Sequence, residues 1–193
     1  MGETIVLPAK APRRAALEAD GWVVVARSFG AKLDSDSINH QRLHTLIAEA
    51  GVSVRELGNV DVTAVLRLDA MTIEDYPGSV ATQHTPLDRH AATPSVSRRA
   101  FGAFGPDGDL ISMTFVDVDG TEAETHFTVV HRAWRSRGLS IAVKAASVLV
   151  LAAEGVTRFR TGGSADNTAI LRANDAVGYV RDEEWVTLAQ DAR

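Results

Sequence analysis

Midway along the chain, the pattern of strands changes from hairpins to a strand–helix–strand crossover, and this change limits the folds open to the sequence. Strand-like segments separated by short glycine-containing turns cover residues 100–104, 110–118 and 124–130. A long apolar helix over 139–154 and a strand over 157–161 follow. Hairpins pair their strands antiparallel, whereas a helical crossover pairs them parallel. The sequence therefore predicts an α/β fold with one mixed sheet, whose strand direction changes after the third hairpin strand.

Further elements precede and follow this unit. The predicted helices lie at about 10–20, 43–50, 61–71 and 167–177, and the predicted strands at 22–26, 29–33, 52–57, 179–181 and 185–188. We expect one domain over residues 52–190, preceded by an extension over 1–51 that contains helix and strand. Residues 76–97 are rich in proline, serine and threonine. They predict a loop with at most a short helix, and a loop of this length is more often functional than idle.

The charge balance and the cysteine count exclude several classes of function. Twenty Lys and Arg against twenty-five Asp and Glu give a net charge of −5. We therefore expect no nucleic acid and no membrane surface as a partner, since both attract basic proteins. The lack of cysteine excludes disulfides, thiolate metal sites and cysteine nucleophiles. With no signal-like N-terminus and no apolar stretch long enough for a membrane span, the sequence predicts a soluble, cytoplasmic protein.

The segment from Thr128 to Ser140 has the features of an anion-binding site. A strand leads into a turn rich in arginine and small residues, and the turn leads directly into the apolar helix. The unpaired N–H groups of the first helical turn and the helix dipole favour an anion such as a pyrophosphate. Gly138 lets the backbone approach closely, while Arg135 and Arg137 add positive charge. The residues alone also allow a second interpretation, a solvated basic turn in front of a core helix.

Two motifs in this part of the chain resemble those of the GNAT N-acetyltransferase superfamily. Arg135-x-x-Gly138-x-Ser140 resembles its acetyl-CoA-binding signature, Arg/Gln-x-x-Gly-x-Gly/Ala. Asn167 to Tyr179 resembles its last helix, which ends in Gly-Tyr or Gly-Phe, and the order of elements over 52–188 matches as well. The resemblance implies a GNAT-like acyl-CoA N-acyltransferase fold with an N-terminal helix and strand extension, acetyl-CoA as co-substrate and no metal.

The resemblance also implies where the co-substrate binds. Backbone groups of the strand over 124–130 would contact pantetheine, the N–H groups of the turn would hold the pyrophosphate, and asparagines of the last helix would face the pantetheine arm. The residues concerned are Val129, Val130, Arg135, Ser136, Arg137, Gly138, Leu139, Ser140, Asn167 and Asn174. Asn174 stands where many members have a tyrosine thought to be the general acid, a role that asparagine cannot fill. Tyr179, Ser164 or water would replace it, or the thiolate would leave unaided.

Polar side chains alternate on the strand before the turn. Glu122, Glu124 and His126 lie at every second position, so we expect them on one face of the strand. If that face lines the cleft, Glu124 is the first choice for the base that deprotonates the amine and His126 the second. The alternative is that all three are exposed polar residues opposite a core-facing Phe127 and Val129.

The beginning of the chain is similar to its end. Residues 16–23 and 173–180 each read as a helix that runs into glycine, an aromatic residue and a strand. One hypothesis is that residues 1–51 are the remnant of a tandem acetyltransferase half. Helix–glycine–strand is a common pattern, so chance similarity is the other explanation.

The function favoured by these observations is transfer of an acetyl group from acetyl-CoA to a primary amine of a small molecule or peptide. The amine would attack the thioester directly, and a backbone N–H would stabilise the oxyanion. The alternatives are a non-catalytic CoA-binding module of the same fold and a dimerisation or scaffold domain. The oligomeric state stays open, with a homodimer among the expected partners. His84 and His90, in the long loop, are candidates for contact with the acceptor. His40 and His44 have metal-like spacing, but no third ligand lies nearby in sequence.

Overall fold

The computed structural model describes residues 3–73 and 85–190, which form one eight-stranded sheet with helices packed against it. The strands are β1 (Thr4–Pro8), β2 (Trp22–Asp34), β3 (Ser53–Glu56), β4 (Arg98–Phe104), β5 (Leu110–Asp119), β6 (Glu122–Val130), β7 (Arg158–Ser164) and β8 (Val180–Gln190). The helices are α1 (Arg13–Ala19), α2 (His40–Glu49), α3 (Val62–Thr72), α4 (Leu139–Ala153) and α5 (Thr168–Val177).

The strands lie in the order β1-β8-β2-β7-β6-β5-β4-β3. All neighbouring pairs are antiparallel except β6 and β7, which are parallel and are connected through α4. This confirms the mixed α/β sheet and the change of strand direction after the third hairpin strand.

The parallel pair is short, and its strands then separate. Glu122–Glu124 of β6 pair with Arg158–Arg160 of β7. Beyond them, β6 continues beside β5 as far as Val130, and β7 continues beside β2 as far as Ser164. We call the point where the pairing ends the fork. Past the fork, the two strands no longer pair, so their facing edges lack the hydrogen bonds that a neighbouring strand supplies.

The first 51 residues contribute strands and a helix to the same layers. β2 lies between β7 and β8, β1 pairs with β8 at the edge of the sheet, and α2 packs against α4. The two short strands predicted within 22–33 are one continuous strand, and so are the two predicted within 179–188. The predicted break at 27–28 was wrong because both residues pair in register with β8, and the predicted break at 182–184 was wrong because a β-bulge at Asp182 absorbs one residue while the pairing continues. Descent of residues 1–51 from a tandem half stays a prediction.

The helices cover the two sides of the sheet differently. α2, α4 and α5 contribute to the core on one side, which we call the α4 side, and α3 packs on the other, the α3 side. Most of α4 is buried, as its apolar sequence predicts, and it shares a core with Val116 and Phe159. On the α3 side, Leu68 lies in a core with Phe115 and Phe127, whose rings stack with centroids 5.1 Å apart.

The loop predicted over 76–97 is described from residue 85 onward, so its part over 76–84, which includes His84, lies outside the described residues. The described part is tied to α3, because the N–H of Leu87 donates to Asp69 Oδ2 at 2.9 Å. His90 is exposed. None of the helices within 3–73 and 85–190 has the length and hydropathy that crossing a membrane requires.

Candidate functional site

A cleft of about 520 Å³ opens beyond the fork, between β6 and α5, where α4 begins. Its lining comes from α3, β6, the turn after β6, α4 and α5: Thr72, Thr128, Val129, Val130, Trp134, Arg135, Ser136, Gly138, Leu139, Ser140, Ile141, Asn167, Ala169, Ile170, Arg172 and Ala173. The volume lies within the range of small-molecule and cofactor sites. Most of the residues that the sequence motifs assign to the co-substrate thus lie together, and Arg137 and Asn174 lie outside the lining.

The turn before α4 has the backbone shape of an anion-binding loop. Arg135 is extended, whereas Ser136 and Gly138 have positive φ values of 62° and 75°. The N–H of Ala142 donates to the carbonyl oxygen of Gly138 at 3.0 Å, and Gly138, the N-cap residue, has no side chain with which to cap the helix. The N–H groups before Ala142 therefore have no helical acceptor. Such groups, together with the partial positive charge of the helix N-terminus, suit a phosphate.

The arginines near the cleft have different environments. Arg135 lines the cleft, and its Nε donates to the carbonyl oxygen of Val130 at 3.3 Å. Arg137 lies outside the lining, and its guanidinium stacks on Trp134, 4.6 Å from the ring centroid. Arg172 of α5, which the sequence motifs do not include, is exposed and lines the cleft. The helical repeat of α5 could have identified Arg172 in the sequence, because residues one turn apart share a face of a helix.

The two asparagines of α5 also differ. Asn167 caps the helix, since its Oδ1 accepts a hydrogen bond from the N–H of Ile170 at 3.1 Å, and it lines the cleft. Asn174 is only 1% exposed. Neither its Oδ1 nor its Nδ2 has a hydrogen-bond partner among residues 3–73 and 85–190. Because most buried polar atoms in folded proteins are hydrogen-bonded, this side chain calls for a water or ligand as its partner.

A β-bulge in β6 changes the side of the sheet on which its residues lie. The pairing with β5 skips His126, which is therefore an extra residue in the strand. Ala123 belongs to the core on the α4 side, whereas Phe127 and Val129 belong to the core on the α3 side. Regular alternation would place Ala123 and Phe127 on the same side. The prediction that Phe127 and Val129 lie opposite Glu124 was therefore wrong.

Glu124 lies at the fork and is exposed. Its neighbour on β7 is Arg160, but the guanidinium of Arg160 binds Asp182 and Glu183, at 2.8 and 2.6 Å. Within the described part of the chain, Glu124 forms no salt bridge or hydrogen bond through its side chain. An exposed carboxylate that is not engaged by a cation is available to accept a proton.

The histidine candidates lie in separate places. His126 is exposed beside the fork, with its Nδ1 3.5 Å from Asp117 Oδ2. Like Glu124, it does not line the cleft. His40 and His44 are both exposed on α2. In the ranges that the structure describes, no three metal-ligating side chains come together.

A buried polar cluster lies at the fork on the α4 side, and we call it the lysine cluster: Thr125, Lys144, Thr161 and Tyr179. Lys144 Nζ donates to Thr161 Oγ1 at 3.0 Å and lies 3.4 Å from Thr125 Oγ1. Burial lowers the pKa of Lys144 to about 7 and raises the pKa of the Tyr179 phenol. No local sequence pattern points to this cluster, because its members come from β6, α4, β7 and the segment after α5.

Comparison with known proteins connects this geometry to one kind of fold. No protein-family model and no curated protein matches the sequence. Among solved structures, the chain is similar to a GCN5-related N-acetyltransferase from Kribbella flavida, with a TM-score of 0.67 and 16% identity over 100% of this chain and 69% of that one. It is also similar to a GCN5-related N-acetyltransferase from Sphaerobacter thermophilus, with a TM-score of 0.69 and 17% identity over 97% of this chain and 59% of that one.

A third similar structure is a tandem GNAT protein from the clavulanic acid biosynthesis pathway, with a TM-score of 0.63 and 23% identity. The match covers 96% of this chain and 62% of that protein. The chain thus spans roughly two thirds of the length of these proteins. The similarity extends over nearly all of the chain and includes the mixed sheet that its sequence predicts. The chain has the GNAT acetyltransferase fold.

Proposed function

We propose that the protein is an acetyl-CoA-dependent N-acetyltransferase that transfers the acetyl group to a primary amine of a small molecule or peptide. The observation that carries the proposal is the cleft at the fork, which joins an anion-binding turn to an open strand edge. CoA has the matching combination of a charged pyrophosphate at one end and an extended arm with amide groups at the other. The fold supports the same assignment.

The turn would bind the charged end of the co-substrate. Backbone N–H groups between Arg135 and Ser140 would donate to the pyrophosphate, and Arg172 on α5 would add positive charge. Past the fork, backbone groups near Val129 and Val130 lie at the strand edge that β7 has left. Those groups would bond to the amides of the pantetheine arm, much as a strand bonds to its neighbour.

Acetyl-CoA would supply a thioester carbonyl that an amine can attack. The amine must lose a proton, and Glu124 is the first candidate to accept it, because its carboxylate is exposed and not engaged by a cation. His126 is the second candidate, with Asp117 3.5 Å from its Nδ1. Either group would act directly or through one water molecule.

The test is turnover with a panel of primary amines that includes amino acids, polyamines and peptides, with release of the CoA thiol as the signal. We expect acetyl-CoA-dependent thiol release with at least one amine, and an acetylated amine detected by mass spectrometry. CoA binding without turnover on any amine would instead support the non-catalytic CoA-binding module. A protein that neither binds CoA nor releases thiol would contradict the proposal.

A further inference from the structure

Just beyond the residues that line the cleft, α4, α5 and β6 each carry a polar side chain that is buried or partly buried. On α4, Lys144 follows the lining residue Ser140 by four positions. On α5, Asn174 follows the lining residue Ile170 by four positions. Residues four apart share a face of a helix and are about 6 Å apart along its axis. On β6, Thr125 lies at the fork, just before the part of the strand that lines the cleft. All three walls thus end in polar groups.

Lys144 has only uncharged partners. Its ammonium contacts the hydroxyls of Thr161 and Thr125 and lies 5.5 Å from the ring centroid of Tyr179. It is 1% exposed, burial lowers its pKa, and it forms no salt bridge with a carboxylate of the described residues. Tyr179 is the titratable side chain that faces it in the described residues. β6 and β7 present hydroxyls to it, and Asn174 of α5 carries an amide.

A lysine in this place lowers stability relative to an apolar side chain, because its charge is removed from water without a counter-ion. The other lysines, Lys10 and Lys32, are exposed. Asn174 adds two buried polar atoms that lack hydrogen-bond partners among the described residues. Polar groups that are unfavourable to bury and incompletely satisfied call for an explanation, and functional sites are where such departures are expected.

We propose that the lysine cluster forms the sulfur end of the cleft, and that Lys144 acts through the hydroxyl of Thr125 to stabilise the thiolate that leaves during acetyl transfer. This inference rests on the proposed function, because it assigns the lysine cluster to the same co-substrate. Thr125 is partly exposed and is the group that would touch the sulfur. Lys144 is buried and is therefore a positioning residue, whose charge orients and polarises the hydroxyl.

The step conserves atoms and charge. The amine nitrogen forms a bond to the carbonyl carbon, and the bond between that carbon and sulfur breaks. The electron pair of the broken bond stays on sulfur as a thiolate, and the proton that the nitrogen gives up goes to the base at Glu124. Lys144 donates a hydrogen bond to Thr125 Oγ1, and the hydroxyl of Thr125 donates to the sulfur. A positive charge at this point makes a general acid unnecessary, and asparagine at 174 could not serve as one.

The test compares CoA with desulfo-CoA, which lacks the thiol, as ligands of the full chain. We expect wild type to bind CoA about tenfold more tightly than desulfo-CoA at neutral pH, since a buried charge favours the thiolate. The ultraviolet difference spectrum between the two complexes should show thiolate absorption. Lys144→Met has a similar volume and should reduce the preference to about twofold or less. Thr125→Val keeps the lysine, removes the hydroxyl and should have the same effect.

A matched control is Lys32→Met, which removes an exposed lysine from β2 and should behave as wild type. Circular dichroism establishes that each variant is folded, and Thr125→Val carries the test alone if Lys144→Met does not fold. Equal binding of CoA and desulfo-CoA by wild type would overturn the role of Lys144 and leave the proposed function standing. If both variants keep the preference of wild type for CoA over desulfo-CoA, the proposed role of Lys144 is likewise overturned. A wild type that binds neither ligand would overturn the proposed function, and this inference with it.

Discussion

The two ends of the cleft are built in different ways. The turn end consists of consecutive residues, 135–140, and offers backbone N–H groups at the start of α4. The fork end, which we propose lies just beyond the cleft lining, consists of side chains from separate elements, chiefly Thr125, Lys144 and Thr161, which are buried or partly buried. The turn end therefore depends on backbone conformation more than on the identity of its side chains, except at Gly138, whose positive φ disfavours other residues. The fork end depends on individual side chains and on the packing that brings them together.

The largest loss of CoA affinity should come from a substitution of Gly138, which belongs to the turn end alone. Its φ of 75° disfavours other residues, and a Cβ there would meet no protein atom within 4 Å. We expect Gly138→Glu to lower CoA affinity by more than about 100-fold, because it adds strain and a negative charge beside the pyrophosphate. Isothermal titration calorimetry provides the measurement.

The control for this change is Gly108→Glu, in the β4–β5 turn and outside the cleft lining. Gly108 has a φ of 81° and equally open surroundings, so the backbone strain is matched and the ligand contact is not. The control should bind CoA as wild type does. Unchanged affinity in a folded Gly138→Glu variant would refute the assignment of the turn end.

The next largest effect should come from Glu124, which belongs to neither end of the cleft. We expect Glu124→Gln to lower the rate of acetyl transfer about 100-fold at neutral pH, because a general base contributes on this order. Affinity for acetyl-CoA should stay nearly unchanged, so kcat would fall without a matching rise in KM. Glu122→Gln, also exposed on β6, is the control. A wild-type rate in Glu124→Gln would remove Glu124 from the role of base.

A third prediction concerns the fork end and the stability of the free protein. Because burial lowers the pKa of Lys144 from 10.5 to about 7, the unfolded chain binds this proton more tightly than the folded one. The cost of burial is therefore fully present below about pH 7 and falls as pH rises toward 10.5. Wild type should gain about 2–3 kcal/mol relative to Lys144→Met between pH 6 and pH 9.

Urea unfolding of both proteins across this pH range measures the difference. Lys144→Met should be the more stable protein at pH 6, and its advantage should shrink as pH rises. Lys32→Met should follow wild type at every pH, since Lys32 is exposed. A stability difference between wild type and Lys144→Met that does not change with pH would contradict the perturbed pKa.

The smallest effect should come from Arg172, which lines the cleft from α5 and which we propose adds positive charge for the pyrophosphate. We expect Arg172→Ala to weaken CoA binding about threefold to tenfold, because an exposed cation contributes little on its own. The loss should diminish at high salt. Arg13→Ala, on α1 and away from the cleft, is the control and should leave affinity unchanged. Equal effects of the two substitutions would exclude a specific role for Arg172.

The parts of the fold that could be predicted from sequence are those that depend on residues and elements close together in the chain. The mixed sheet follows from hairpins and a crossover, and the turn end follows from a glycine and arginines within six residues of Ser140. The bulge at His126 could not be predicted, because counting alternate positions assumes an unbroken strand. The bulge places Phe127 on the α3 side of the sheet, so the predicted assignment of residues to the two faces of β6 fails from this point of the strand onward.

The fork end could not be predicted for a different reason. Lys144 contacts Thr125, 19 residues earlier, and Thr161, 17 residues later, and only the packing of α4 against the sheet brings them together. Composition held a weak signal, because lysine is rare in this chain and arginine is common. The feature that distinguishes Lys144 is its burial, and burial is a property of the folded chain.

The measurement that tests the cleft most directly is thermal unfolding with and without saturating acetyl-CoA, with CoA and ATP as comparisons. Ligand at about 100 times its dissociation constant should add about 2.7 kcal/mol to the free energy of unfolding. For a chain of this size, that corresponds to a rise in Tm of about 5–10 °C. We expect this rise with acetyl-CoA and with CoA but not with ATP. An unchanged Tm with all three ligands would contradict a CoA site in the cleft.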